Sequence, residues 1–156
     1  MPPERDMYTE SQVILVAVRI IAPFTLTYGL FLALHGADTP GGSFQGGTII
    51  GVTILMVAFA FGIEPTRDWV PNAVVALLVG AGVTIFIGVG LATMMLGGAF
   101  LEYRLFADIL GIPDGTKWGM EAIEVGGIAA IIAGVVITLF FATAAGFQPD
   151  QEGDDL

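Results

Sequence analysis

The chain has 156 residues, 55% hydrophobic and 13% charged, with 5 Lys+Arg against 15 Asp+Glu and a formal net charge of −10. A soluble domain is roughly 45–50% apolar and about 25% charged, so the composition suits lipid better than water, and the acidity excludes a basic nucleic-acid footprint. The absence of Cys excludes disulfides, thiolate metal sites, iron–sulfur clusters and a Cys nucleophile, and the single histidine, His35, makes no multi-His site.

Residues 1–10 are polar and acidic and lack the basic start of a cleavable signal. A helix needs about 20 apolar residues to cross a hydrocarbon core of about 30 Å. The first such stretch is 13–34, interrupted by Arg19 and Pro23. At 1.5 Å per residue, Arg19 is expected about 9 Å inside a span that begins at Val13. A cation there costs some 2–3 kcal/mol unless it snorkels or pairs. Both readings stand: it reaches the near interface, or it pairs with a carboxylate of this chain or of a neighbour. Glu124 is one candidate, approaching from the opposite side.

Between the first two stretches lies Leu34-His35-Gly36-Ala37-Asp38-Thr39-Pro40-Gly41-Gly42-Ser43-Phe44-Gln45-Gly46-Gly47. Pro40-Gly41 marks a turn, and the glycines permit close backbone approach. Phe44 is a candidate anchor for this loop. His35 and Asp38 sit where an interfacial, pH-responsive pair is conceivable, since His titrates near neutrality. A plain loop histidine is the competing reading.

The second stretch is 47–63, short enough that it is expected to start inside the glycine-rich segment. A turn with Pro65, Arg67 and Asp68 follows, then an uncharged third stretch at 70–96. The connection 97–118 carries Glu102, Arg104, Asp108, Asp114 and Lys117. Its first half is apolar enough to continue the third helix or to lie along the interface. Pro113, Asp114 and Gly115 predict a turn. The fourth stretch, 119–147, has Glu121 and Glu124 near its start, three apart and so on roughly one side of a helix. Glu121 reads as interfacial. Glu124 lies deeper, where burial favours proton uptake and a nearby cation opposes it. Hard cations take oxygen ligands, so a buried carboxylate is suited to exchanging a proton for Na+. Residues 148–156 form an acidic tail holding Asp150, Glu152, Asp154 and Asp155.

The fold class is therefore all-α: four transmembrane helices occupying residues 1–147. Continuous apolar runs exclude barrel strands, which alternate in polarity. Small residues at four-residue spacing (Gly42/Gly46, Gly47/Gly51, and Gly126/Ala130/Gly134) predict tight helix contacts. There are more such faces than four helices are expected to satisfy alone, which points to part of a larger membrane complex. With both termini on one side, the positive-inside comparison sets Arg5 and Arg67 against Arg104 and Lys117 and decides nothing.

The segment Pro40, Gly41, Gly42, Phe44, Gln45, Gly46 and Gly47 resembles the Pro-Gly-Gly-Gly-Phe-x-Gly-Gly signature of the MrpB/MnhB family, small subunits of multisubunit Na+/H+ antiporters of the Mrp or Mnh type. Ser43 replaces the third glycine. Arg19 followed by Pro23 and the Glu124-Val125-Gly126 run extend the similarity from about Arg19 to Thr143, with Glu where that family is expected to have Asp. The resemblance implies a multi-pass subunit of a prokaryotic cell membrane, with cytoplasmic termini. It implies partnership with other antiporter subunits and with Na+ and H+ as transported ions. No cofactor, nucleic acid or enzymatic activity is implied. The chain has no central Lys in a span, unlike the large proton-pumping subunits of such complexes. Its expected part is to form or scaffold the ion path beside them. Two alternatives remain: the equivalent subunit of an ion-translocating membrane-bound hydrogenase or related respiratory complex, and a purely structural membrane subunit.

Overall fold

A computed structural model describes residues 11–36 and 42–146. Asp38, Pro40, Gly41, Phe147 and the acidic tail lie outside the described residues. Helix α1 spans Gln12–Leu34, α2 Gly42–Phe61, α3 Ile63–Trp69, α4 Asn72–Met95, α5 Arg104–Asp108 and α6 Gly115–Glu121. A π-helical segment, Ala122–Ala129, then leads into α7, Ala130–Gly146. Four helical stretches are long and apolar enough to cross a membrane: α1, α2, α4 and the continuous Gly115–Ala145 rod.

The long helices form a row: α1 packs on α2, α2 on the π segment and α7, and these in turn on α4. Lipid tails give helices no hydrophobic reason to associate, so close backbone approach supplies the contact. Gly46 and Gly47 show how. Successive helix residues are about 100° apart, so the two glycines face different neighbours. A Cβ on Gly46 would lie 2.5 Å from the Ala33 nitrogen of α1, and one on Gly47 would lie 2.6 Å from the Ala129 oxygen. Gly51 meets Val136, while Gly126 and Gly134 meet Ile85 and Val79 of α4. These small-residue faces are used within the chain, whereas Gly80 and Gly88 of α4 meet nothing within 4 Å and stay open, in keeping with the expectation that some small-residue surface is left for partners. The α1–α2 contact also holds a hydrogen bond from Thr53 to Thr25, 3.0 Å long.

Several boundaries differ from the sequence reading. Helix α2 begins at Gly42 and stops at Phe61, because Gly62 takes φ +103°. The expected turn after it is instead the helix α3, with Pro65 in its first turn, where no intrahelical N–H is needed. Helix α4 does not continue into the connection: Gly97 takes φ +89°. Phe100 then folds back so that its ring fills the space over Gly90, and Thr93 Oγ1 lies 2.8 Å and 3.0 Å from the carbonyls of Gly90 and Ala99. The fourth helix starts four residues earlier than expected, at Gly115, after Asp114 in the left-handed region.

Candidate functional site

Arg19 and Glu124 are not partners. The Arg19 guanidinium lies over the Phe61 ring, 5.3 Å from its centroid. Phe61 ends α2, so the charge sits level with the end of that span rather than deep within it. Helix α1 has 23 residues, about 35 Å at 1.5 Å each, which exceeds a core of about 30 Å. Glu124 lies at the other end of α1, against Gly36, 17 residues and about 25 Å from Arg19.

Glu124 sits at a junction of three elements. A Cβ on Gly36 would meet Glu124 Oε2 at 2.5 Å and the Ser43 nitrogen at 3.2 Å. The carboxylate thus lies where α1 ends and α2 begins, and its Oε2 is enclosed by protein. Negative charge is favoured at a helix N-terminus. Ser43, which replaces the expected third glycine, is itself buried there. Glycine at 36 has a concrete purpose: any side chain would displace the carboxylate.

Glu124 and Gly126, two residues apart within the π segment, face opposite sides of the rod, the first toward Gly36 and the second toward Ile85 of α4. A π turn inserts one residue, which rotates the residues before it by about 100° relative to those after it. Such turns recur at functional sites. The adjacent Gly126 and Gly127, with no side chains to crowd the widened turn, are the only sequence signal for it.

Tyr103 was missed by sequence reasoning. Its ring packs on Gly119, one turn before Glu124; a Cβ there would lie 2.8 Å from Tyr103 Cδ1. Burial pushes the Tyr103 phenol above its ordinary range, and the charge of Glu124 adds to this. It is held as a neutral O–H whose proton is bound more tightly than in a free phenol. No sequence pattern connects 103 to 124; the back-folded connection brings them together.

The other acids are accounted for nearby. Glu121 faces Lys117, with 3.8 Å between carboxylate and ammonium, so it is not part of the junction. Glu102 accepts the Ala99 N–H and pairs with Arg104, each at 2.9 Å. Those contacts, the backbone N–H first, hold its carboxyl below the usual range. His35 caps the end of α1, its Nδ1 2.9 Å from the Phe31 oxygen and its ring stacked on Phe31. Phe44 and Gln45 are exposed on the first turn of α2, and the loop that Phe44 was a candidate to anchor lies outside the described residues.

A family model described as a domain related to the MnhB subunit of Na+/H+ antiporter matches residues 13–138. The chain is 24% identical over 134 residues to the B-type Na(+)/H(+) antiporter subunit of Bacillus subtilis (strain 168), covering 86% of this chain and 93% of that relative. It is 25% identical over 139 residues to "Putative antiporter subunit mnhB2" of Staphylococcus aureus (strain Newman), covering 88% and 97%. The matched region includes Arg19, the glycine motif, Tyr103 and Glu124.

Proposed function

The chain belongs to the family of domains related to the MnhB subunit of Na+/H+ antiporter, and from that membership we propose that it is a multi-pass subunit of a multisubunit Na+/H+ antiporter in which Glu124 exchanges a proton for Na+. Relatives matched over nearly their whole length carry antiporter-subunit names, and four helices have the length and composition to cross a membrane. The placement of the Glu124 carboxylate, between the end of α1, the start of α2 and the π segment, carries the ion-path reading. Protonated, it is a neutral group compatible with a low-dielectric junction. Ionised, it offers the hard oxygen that Na+ prefers, alongside backbone carbonyls. Energy coupling belongs to the assembly, and this chain works as a transport component rather than as an enzyme.

Glu124→Gln and Glu124→Asp in the assembled complex test this reading. Na+-dependent proton movement in inverted vesicles is measured together with co-purification of the other subunits. Gln is expected to abolish movement with the complex intact, and Asp to retain part of it. Unchanged movement in the Gln variant would sink the ion-path role and favour a scaffold. That second reading draws on the glycine contacts, through which this chain holds its helices at backbone distance. Subunit composition of the purified complex separates an antiporter from a hydrogenase-type parent.

A further inference from the structure

At the end of the molecule that carries α3, the crease between α4 and α7 opens into a groove of about 650 Å3. Small residues hollow its walls: Ala76 and Gly80 from α4, Ala142 and Ala145 from α7. The buried Val75 and Phe141 form its floor. Arg67 stands at the mouth, its guanidinium 5.6 Å from the centroid of the Phe141 ring. The acids beside it on α3, Glu64 and Asp68, are exposed, as is Trp69.

The groove's length argues for its occupant. On α4 it runs from Asn72 to Gly80, about 12 Å at 1.5 Å per residue. One leaflet of a core of about 30 Å is about 15 Å deep. Deeper down the crease is shut. A Cβ on Gly134 would lie 2.5 Å from Val79 Cγ2, and one on Gly82 would lie 2.7 Å from Ile131 Cγ1. A hydrocarbon chain entering from the boundary fits the depth, and the cation at the mouth fits a phosphate. Interfacial tryptophan beside such a site is usual.

We propose that this groove holds one acyl chain of an anionic phospholipid, with its phosphate on Arg67. The site lies at the end of the fold opposite Glu124 and does not depend on that residue's role. The complex, reconstituted in phosphatidylcholine, is probed by electron paramagnetic resonance with trace spin-labelled phosphatidylglycerol or phosphatidylcholine. Wild type immobilises phosphatidylglycerol preferentially, by less than the about five-fold of a lone juxtamembrane cation, because Glu64 and Asp68 flank Arg67. Arg67→Gln removes that preference and leaves chain immobilisation. Ala142→Leu fills the groove and reduces the immobilised component for both lipids, the lipid around the rest of the complex staying immobilised, while Arg104→Gln at the other end changes neither. Co-purification of the subunits confirms assembly of each variant. An unchanged preference in Arg67→Gln, or an unchanged immobilised component in Ala142→Leu, overturns the proposal. So does cross-linking of an Ala76→Cys variant to another subunit, which would show that protein occupies the groove.

Discussion

Substituting Gly46 by Ala tests whether backbone approach at this residue holds α1 to the rest of the molecule. The added methyl would lie 2.5 Å from Ala33 N, 2.7 Å from Gly29 O and 2.8 Å from Ala33 Cα. All three are backbone atoms, so no side chain can swing aside. Ordinary contact begins near 3.4 Å, so α1 must withdraw by about 0.9 Å. A gap of that size forfeits a quarter to a half of the pairwise attraction along the contact. A rigid withdrawal also stretches the 3.0 Å Thr53–Thr25 bond to about 3.9 Å, past bonding distance. Overpacking of this kind costs about 1–3 kcal/mol, and an interhelical hydrogen bond in a membrane about 0.6–2 kcal/mol. The control is Gly88→Ala, where a Cβ meets nothing within 4 Å and Ala is the better helix former by up to about 1 kcal/mol. In a thermal melt of the purified subunit in detergent, Gly46→Ala should fall by at least about 3 °C, while Gly88→Ala should hold or rise. If the two melt together, α1 is not held by backbone approach at Gly46, and the packing argument fails.

Arg19→Ala removes the contact over Phe61 and should cost about 0.5–2 kcal/mol in the same melt; Na+-dependent proton movement per assembled complex should stay at the wild-type level. Loss of movement with assembly intact would return Arg19 to the ion path. Thr93→Val leaves the carbonyls of Gly90 and Ala99 without their hydroxyl and should cost about 1–3 kcal/mol, accompanied by faster amide exchange across residues 97–103. Glu102 has a depressed folded pKa, so its contribution to that turn is present above its unfolded value of about 4.3 and is lost as the pH falls through the lower folded value. Amide exchange at Ala99 should therefore quicken, beyond the intrinsic pH effect, only below about pH 4.3, and Glu102→Gln should remove that dependence.

The four spans were legible because their signal is local. Each is a run of apolar residues as long as a bilayer is thick, and no fold is needed to count them. The glycine-rich segment was legible for the same reason, and Gly46 and Gly47 turned out to be close-approach positions. Ends of elements were less so. The breaks at Gly62 and Gly97 are single positive-φ residues, and nothing in a hydropathy pattern distinguishes them from the glycines that remain inside helices. The neighbour of Arg19 was not legible either, because Phe61 comes from the end of another helix.

By itself, then, the sequence determined the medium, the four spans found among the described residues and the family it resembles. Tertiary structure alone decided which groups meet. It seated Glu124 on Gly36 and Ser43, brought Tyr103 back over Gly119, and put Arg19 on Phe61 about 25 Å away. The physical reason is the row of helices: a side chain's neighbours across a helix contact are fixed by rotation and order in the row, neither of which is written in hydrophobic periodicity.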